Sequence, residues 1–231
     1  RDRLVEKANI KKKNYFGKYL KYTNFFPSTH HLPFAGEYIL GGKLVELNQY
    51  RGVSDAFEVT EFDKKALVFN TGGYINLVNN NIVDIRSEKH PQDDVNKKLE
   101  EIKVKKLDYE IDFNLTCDKI NFLRLLKKAS SNALRKSELQ EQYYFIFSIT
   151  ENDQVIKRFL CNCLDSEITE LNLREEIKLD FYSEIIIDYR YLFGLLTTVY
   201  HWNNAEGGSL YFTRRHPVDN FLPSVQKYLN F

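Results

Sequence analysis

Apolar residues at helical spacing open the chain, and a hairpin pattern follows them. Residues 4–22 carry apolar and aromatic side chains every three or four positions among many lysines, which predicts a basic amphipathic helix. Further along, the apolar runs 66–70 and 74–78 flank Gly72 and Gly73. Because glycine supplies the positive φ that a tight turn requires, we predict a β-hairpin whose turn lies at these glycines.

The second half of the chain alternates between strand and helix patterns. An amphipathic helix pattern at 116–136 precedes a strand pattern at 142–150, where alternate side chains fall on opposite faces. The remaining predicted elements are strands at 155–164, 177–187 and 209–214, and helices at 189–200 and 219–229. Mixed elements joined by short turns are typical of the α+β class, so we predict a mainly antiparallel sheet with helices on one side.

A polar stretch separates the two halves. Residues 87–106 are rich in Lys, Glu and Asp, and a solvated helix is predicted after Pro91. We therefore predict two units, 1–88 and 89–231, joined near residues 87–98. The first is expected to be a smaller α/β segment, and the second a C-terminal α+β domain.

Composition and charge narrow the class of protein. The 231 residues are 43% hydrophobic and 28% charged, which excludes a disordered chain. The 33 Lys and Arg residues against 32 Asp and Glu leave a net charge of +1, so we expect no nucleic-acid partner. No apolar run approaches the roughly 18 residues of a membrane span, so we expect no membrane role. A charged start and few cysteines predict a soluble, cytoplasmic protein.

The three cysteines are Cys117, Cys161 and Cys163. The last two lie two positions apart on a predicted strand and so share a face. A metal site would need further soft ligands at a similar spacing, and the sequence has none. We interpret the cysteines as buried structural residues.

Two adjacent histidines form a first candidate site. His30 and His31 lie in a predicted extended segment, so their side chains point to different sides and are not expected to grip one metal ion. Either one remains a candidate ligand or an acid–base group near neutral pH. The alternative is a loop histidine that hydrogen-bonds to the backbone.

The segment 200–209 is the second candidate. It combines the sequence's only tryptophan, Trp202, with amides, a carboxylate and a histidine, and two glycines close it. We predict that this turn lines a concave surface and presents donors and acceptors to a polar, sugar-like ligand. The same side chains could instead cap a helix. The candidate ligand-binding residues are His201, Asn203, Asn204, Glu206, Arg214 and Arg215, the two arginines as anion-binding groups at the same rim.

Several segments resemble the late part of two-part metallo-β-lactamase-fold proteins. They are PFAGEYILGGKL (33–44), LN (47–48), RGV (51–53), DYRYL (188–192), HWNNAE (201–206) and RHP (215–217). The pattern is similar to the ascorbate-lactonase-like branch and, more distantly, to the hydroxylase of CMP-N-acetylneuraminate. The matches are patchy, but they lie towards both ends of the chain.

The resemblance implies a C-terminal portion of a metal-dependent hydrolase or hydroxylase-like protein, which shapes the site or binds a partner. Residues 1–88 would be the tail of the metallo-fold, and 89–231 an accessory domain of lipid-carrier-like fold. The family's His-x-His-x-Asp-His metal cluster does not occur among the five histidines.

It follows from the resemblance that this chain is expected to carry no cofactor of its own. A metal ion would be bound by an N-terminal metallo-β-lactamase-like region, which becomes the expected partner together with a small polar ligand. No family catalytic residue is assigned to this chain. The alternative is a self-contained, metal-independent enzyme or a binding module for a polar, sugar-like small molecule, so enzymatic activity stays open.

Overall fold

The computed structural model describes residues 2–34, 38–111, 113–219 and 222–229. The chain divides into two compact units, Arg1–Lys106 and Leu107–Phe231. Within the described residues, the first unit holds a two-stranded sheet and the second a five-stranded, mostly antiparallel sheet. The predicted α+β class is therefore confirmed.

The first unit combines helices with a small hairpin. Its elements are α1 (Asp2–Phe25), 3₁₀ helices at Gly42–Tyr50 and Ala56–Glu61, β1 (Phe69–Asn76), β2 (Asn81–Ile85) and α2 (Gln92–Lys103). The predicted amphipathic helix 4–22 lies inside α1. The quoted residues Ala35, Gly36 and Glu37 of the resemblance lie outside the described part of the chain.

The predicted hairpin exists, but its turn lies at residues 77–80 and not at the two glycines. Gly72 and Gly73 lie within β1, where the register with β2 shifts as it does at a β-bulge. A Cβ on Gly73 would come within 2.5 Å of the Asp84 carbonyl oxygen, so glycine is needed for the close approach of the strands. Asn80 takes the left-handed conformation of the actual turn, which asparagine tolerates.

Helix α2 belongs to the first unit because it packs against the 3₁₀ helix Gly42–Tyr50. Gly41 lies against Ile102, with its Cβ position 3.6 Å from the Ile102 carbonyl oxygen. The units accordingly divide after Lys106, whereas the sequence analysis placed the boundary at 88/89.

The second unit is helical at its start, then mixed. Its elements are α3 (Asp108–Ile111), a 3₁₀ helix (Cys117–Lys119), α4 (Phe122–Ser137), β3 (Tyr144–Glu151), β4 (Gln154–Asn162), β5 (Ile168–Leu171), β6 (Tyr182–Asp188), α5 (Tyr189–Leu196), α6 (Trp202–Gly207), β7 (Tyr211–His216) and α7 (Pro223–Leu229). The strand order is β5-β4-β3-β6-β7, with β3 antiparallel to β4 and parallel to β6.

In this unit the structure differs from the sequence-based predictions at two places. The strand predicted at 177–187 begins only at Tyr182, because residues 172–181 connect β5 to β6. These two strands lie on opposite sides of the central pair β4–β3, so the connection crosses the sheet. The Arg158 guanidinium donates to the Glu175 carbonyl oxygen at 2.9 Å and holds this crossing segment on the sheet. The predicted turn at 201–209 instead contains α6.

One face of the sheet carries the core. Phe145, Phe147 and Ile149 alternate along β3 and pack in one apolar cluster with residues of α4, α5, α6 and α7. Ile146 and Ser148 of the opposite face are also fully buried. The helices therefore cover one face of the five-stranded sheet, as predicted. Strand β3 is buried on both of its faces.

Gly52→Ala is expected to destabilise the first unit. Gly52 has a φ of +60°, and a Cβ there would lie 2.2 Å from the Ala8 carbonyl oxygen of α1. The left-handed backbone alone costs a residue with a Cβ about 1–2 kcal/mol, and the clash adds to it. Urea unfolding followed by circular dichroism measures the loss.

Gly17→Ala is the matched control. It lies within α1, and its Cβ would meet no atom within 4 Å. This substitution is expected to raise the unfolding free energy by about 0.5–1 kcal/mol, because alanine favours the helix. Equal stability of the two variants would contradict the packing of Gly52 on α1.

Candidate functional site

A cleft of about 550 Å³ opens in the second unit between α4 and the segment that joins α5 to α6. Helix α4 contributes Leu125, Lys128, Ala129 and Asn132. These positions are three or four residues apart, so they form one stripe of the helix, next to the stripe that packs in the core. The wall therefore depends on a single helix face.

Capping fixes where α4 begins. The Asn121 side-chain oxygen accepts a hydrogen bond from the Arg124 amide at 3.0 Å, and Phe122 starts the helix fully buried. The helix ends at Ser137, after which Glu138 takes the left-handed conformation. The two ends of α4 therefore set which residues are helical, and with them which side chains face the cleft.

The opposite wall is a tight reversal at the end of α5. The Gly194 carbonyl oxygen accepts hydrogen bonds from the amides of Val199 and Tyr200, at 2.8 and 3.0 Å. The reversal places Thr198 at a φ of +63°, a left-handed conformation that is rare for a β-branched residue. It folds the Tyr200 ring back onto Tyr191, with ring centroids 4.7 Å apart and nearly parallel planes.

A smaller apolar cavity of about 40 Å³ lies next to the cleft. Ala129, Leu196 and Trp202 line both spaces and so form the partition between them. The Trp202 ring also contacts Phe147 and the edge of Tyr211, with centroid distances of 6.4 and 5.8 Å. Because Trp202 is the one tryptophan in the sequence, its fluorescence reports on the surroundings of the cleft and of the adjoining cavity.

Polar groups at the inner end of the cavity are already paired. The Ser130 and Tyr228 hydroxyls hydrogen-bond to each other, and the Cys161 sulfur lies 3.3 Å from the Ser130 oxygen. The three cysteines are free and buried. Contact with Cys161 and then burial raise the pKa of Cys163, while burial raises the pKa of Cys117, so both remain neutral thiols.

The structure brings two of the predicted 201–206 ligand residues to the cleft. His201 and Asn204 line it, together with Trp202. His201 also caps α6, since its Nδ1 accepts a hydrogen bond from the Asn203 amide at 3.2 Å. Asn203 and Glu206 are exposed on α6 and do not line the cleft.

The two arginines lie on β7 rather than with the α6 residues. Arg214 approaches Glu184 of β6, with 3.6 Å between Nη1 and Oε2, and its side chain is 74% exposed. Glu184 also accepts a 2.5 Å hydrogen bond from Ser148, so this network lies on the sheet face away from the helices. Arg215 is half-buried and pairs in register with Ser183.

In the first unit, His31 meets a carboxylate. Its Nδ1 lies 2.6 Å from the Asp63 Oδ2, and the Tyr19 hydroxyl donates to the same oxygen at 2.6 Å. His30 is half-buried beside it in the chain. The structure therefore distinguishes the two adjacent histidines by their surroundings.

Among the described residues, no three or more His, Cys, Asp or Glu side chains are grouped so that they could hold a metal ion. The helices in this part of the chain also lack the combination of length and apolar composition that a membrane-spanning helix needs.

Sequence reasoning missed the partners that complete these sites. Lys128 and Asn132 are ordinary polar positions of an amphipathic helix, and no local signal marks them as cleft residues. Asp63 lies 32 positions after His31, and the intervening sequence carries no motif that links them. Only the folded chain brings these groups together.

No protein-family model matches the chain, and no curated protein matches it. In structure, it is similar to the crystal structure of sterol carrier protein-2 like-3 from Aedes aegypti. The two are 12% identical, the match covers 46% of this chain and 88% of that chain, and the TM-score is 0.34. A likeness of this size carries no conclusion about what the present chain binds.

Gly194→Ala is expected to disrupt the cleft wall. A Cβ on Gly194 would lie 2.2 Å from the Tyr200 ring, so the ring must leave its stack on Tyr191. We expect a loss of about 1–3 kcal/mol in urea unfolding and a changed near-ultraviolet circular dichroism spectrum. Gly207→Ala, where a Cβ meets nothing within 4 Å, is the control; it should keep the near-ultraviolet spectrum and should not lower the unfolding free energy, because alanine favours the helix α6. An unaltered near-ultraviolet spectrum for Gly194→Ala would contradict this packing.

Proposed function

We propose that the second unit binds an amphipathic small molecule with an anionic head group. The observation that carries the proposal is the cleft of about 550 Å³, whose inner side adjoins an apolar cavity. Ligand pockets of drug-sized molecules measure roughly 300–1,000 Å³, so the cleft has the size for a single small ligand.

The chemistry of the walls separates an apolar end from a polar end. Leu196, Trp202 and Ala129 form the inner wall, where an alkyl chain or a ring would lie. Asn132, His201 and Asn204 line the cleft with hydrogen-bonding groups. A ligand with one apolar end and one polar end fits this arrangement better than a uniformly polar sugar.

The charge of the head group follows from one lysine. Among the described residues that line the cleft, Lys128 is the one formally charged side chain, with histidine taken as neutral. Within the described part of the chain, no Asp or Glu side chain lines the cleft, so a carboxylate or phosphate head group would meet a cation without a competing anion.

The family resemblance suggests which larger protein the second unit would serve. We propose that the chain is the C-terminal portion of a metallo-β-lactamase-like protein. In that protein, the second unit would hold a ligand for an N-terminal region that binds metal. The cleft itself requires no metal for binding, because shape, apolar contact and one cation supply the recognition. The polar, sugar-like ligand of the sequence analysis is the competing candidate.

Sodium decanoate, n-decanol and glucose distinguish these ligands, with Trp202 fluorescence as the readout. Decanoate is expected to shift the emission in a saturable way, because its chain would lie against the indole. Lys128→Gln should weaken decanoate binding by up to about fivefold, as for a solvent-exposed ion pair, and leave decanol binding unchanged.

Lys127→Gln is the matched control for this experiment. Lys127 is the neighbouring lysine on α4, is exposed, and does not line the cleft. Decanoate should bind this variant as it binds the wild type. If glucose gave a saturable response and decanoate gave none, the ligand would be a sugar and not an amphipathic molecule. If Lys127→Gln weakened decanoate binding as much as Lys128→Gln, Lys128 would have no specific role in binding the head group.

Ala129→Phe is expected to block the site directly. Ala129 lines the cleft and the cavity, so a phenyl ring there would occupy the inner end that the apolar chain needs. The Trp202 response to decanoate should be lost, while Ser131→Phe on the exposed part of α4 should retain it. Undiminished decanoate binding to a folded Ala129→Phe protein would place the ligand elsewhere.

A further inference from the structure

The small cavity beside the cleft is too small for a whole ligand. Its volume is about 40 Å³, and mainly apolar side chains from the sheet and from four helices form its walls. A single water-sized group needs roughly 10–15 Å³ in the same measure, so the cavity has room for a few carbon atoms. It therefore has the size for the end of an alkyl chain.

The polar atoms of this cavity bond to one another. The Tyr228 and Ser130 hydroxyls form a hydrogen bond, and the Tyr228 hydroxyl also lies 3.3 Å from the Ser130 carbonyl oxygen. The Cys161 sulfur lies 3.3 Å from the Ser130 hydroxyl oxygen. Burial raises the pKa of Tyr228, so its phenol stays neutral. Because these three side chains already have partners, the cavity suits an apolar group better than a polar head group.

The partition between the cleft and the cavity is thin. Ala129, Leu196 and Trp202 line both spaces. Ala129 has a short side chain, and Leu196 and Trp202 are half-buried, so rotamer changes of these two side chains would join the spaces without moving a helix. A chain whose head group lies in the cleft would then extend into the cavity.

Tyr228 is held firmly at the cavity and does not line the cleft. Its ring stacks on Phe145 of β3, with 6.0 Å between centroids and 21° between planes. Its hydroxyl bonds to Ser130 of α4, and only 4% of the residue is exposed. A ring held by the sheet and by a helix yields little to a longer chain, because close-packed neighbours block its alternative positions.

We propose that the cavity holds the terminal carbons of the ligand's alkyl chain and that Tyr228 determines the longest chain that binds. This inference rests on the proposed function, which places the head group near Lys128 in the cleft. Chain carbons gain free energy only while they become buried. Affinity is therefore expected to rise with chain length until the chain reaches the Tyr228 ring, and then to level off.

A series of sodium carboxylates from octanoate to hexadecanoate tests this limit on the full chain, with Trp202 fluorescence as the readout and each ligand below its micelle concentration. In the wild type, each methylene group that becomes buried should strengthen binding about fourfold, up to a defined chain length. Tyr228→Ala should move this limit to longer chains, which then gain about fourfold for each further methylene group.

Tyr228→Phe is the matched control. It keeps the ring and removes only the hydroxyl, so its limit should equal that of the wild type. A limit that moved as far in Tyr228→Phe as in Tyr228→Ala would assign the effect to the hydroxyl and overturn the role of the ring.

Ala133→Val tests the cavity in the opposite direction, and it decides the question if Tyr228→Ala does not fold. Ala133 is buried and lines the cavity but not the cleft. The two added methyl groups would occupy space that the chain end needs, so the limit should move to shorter chains. Melting curves establish which variants are folded.

The outcomes separate this inference from the proposed function. If no carboxylate binds to the wild type, both are overturned. If carboxylates bind and Lys128→Gln weakens them at every chain length, the cleft proposal stands. The inference about Tyr228 is then overturned alone if a folded Tyr228→Ala or Ala133→Val protein keeps the wild-type limit, or if the wild type shows no limit.

Discussion

The second unit depends on the burial of β3 on both of its faces. One face carries the aromatic and aliphatic residues that pack under the helices, and the other is covered where residues 172–181 cross the sheet. A strand enclosed in this way cannot slip in register, because a shift by one residue would exchange its large rings for Ile146 and Ser148. The helices on the core face are positioned by this strand and its neighbours, and the cleft is the space that they leave between them.

The cleft has two walls, one formed by a face of α4 and the other by the chain reversal after α5. Helix α4 places a mixed polar and apolar stripe next to its core stripe, and α5 ends in a reversal that only a glycine at position 194 permits. The reversal stacks the Tyr200 ring on Tyr191 of α5 and leads into α6, whose first residue is Trp202. The apolar partition around Trp202 and the cation at Lys128 therefore come from unrelated parts of the sequence, and their combination gives the cleft its amphipathic character.

The first unit is organised differently, around polar contacts. Asp63 ties α1 to the extended segment that holds His31, because its carboxylate contacts the Tyr19 hydroxyl, the His31 ring and the Lys65 amide. Such a group stabilises the unit and at the same time orients the imidazole. The two units are thus held together differently, the second by apolar packing around β3 and the first in part by hydrogen bonds to one carboxylate. Neither arrangement depends on the family resemblance, which remains a proposal about the setting of the chain.

Local patterns determined the α+β class, the amphipathic helices α1 and α4, and the β3–β4 hairpin, because periodicity and turn residues act over a few positions. They misplaced the first hairpin turn, since Gly72 and Gly73 serve a bulge set by contact with β2, and they read α6 as a turn. The pairing of β3 with β6, the assignment of α2 to the first unit and the partners of His31 depend on residues distant in sequence. Only tertiary packing decides such contacts, because no short stretch of chain holds both partners.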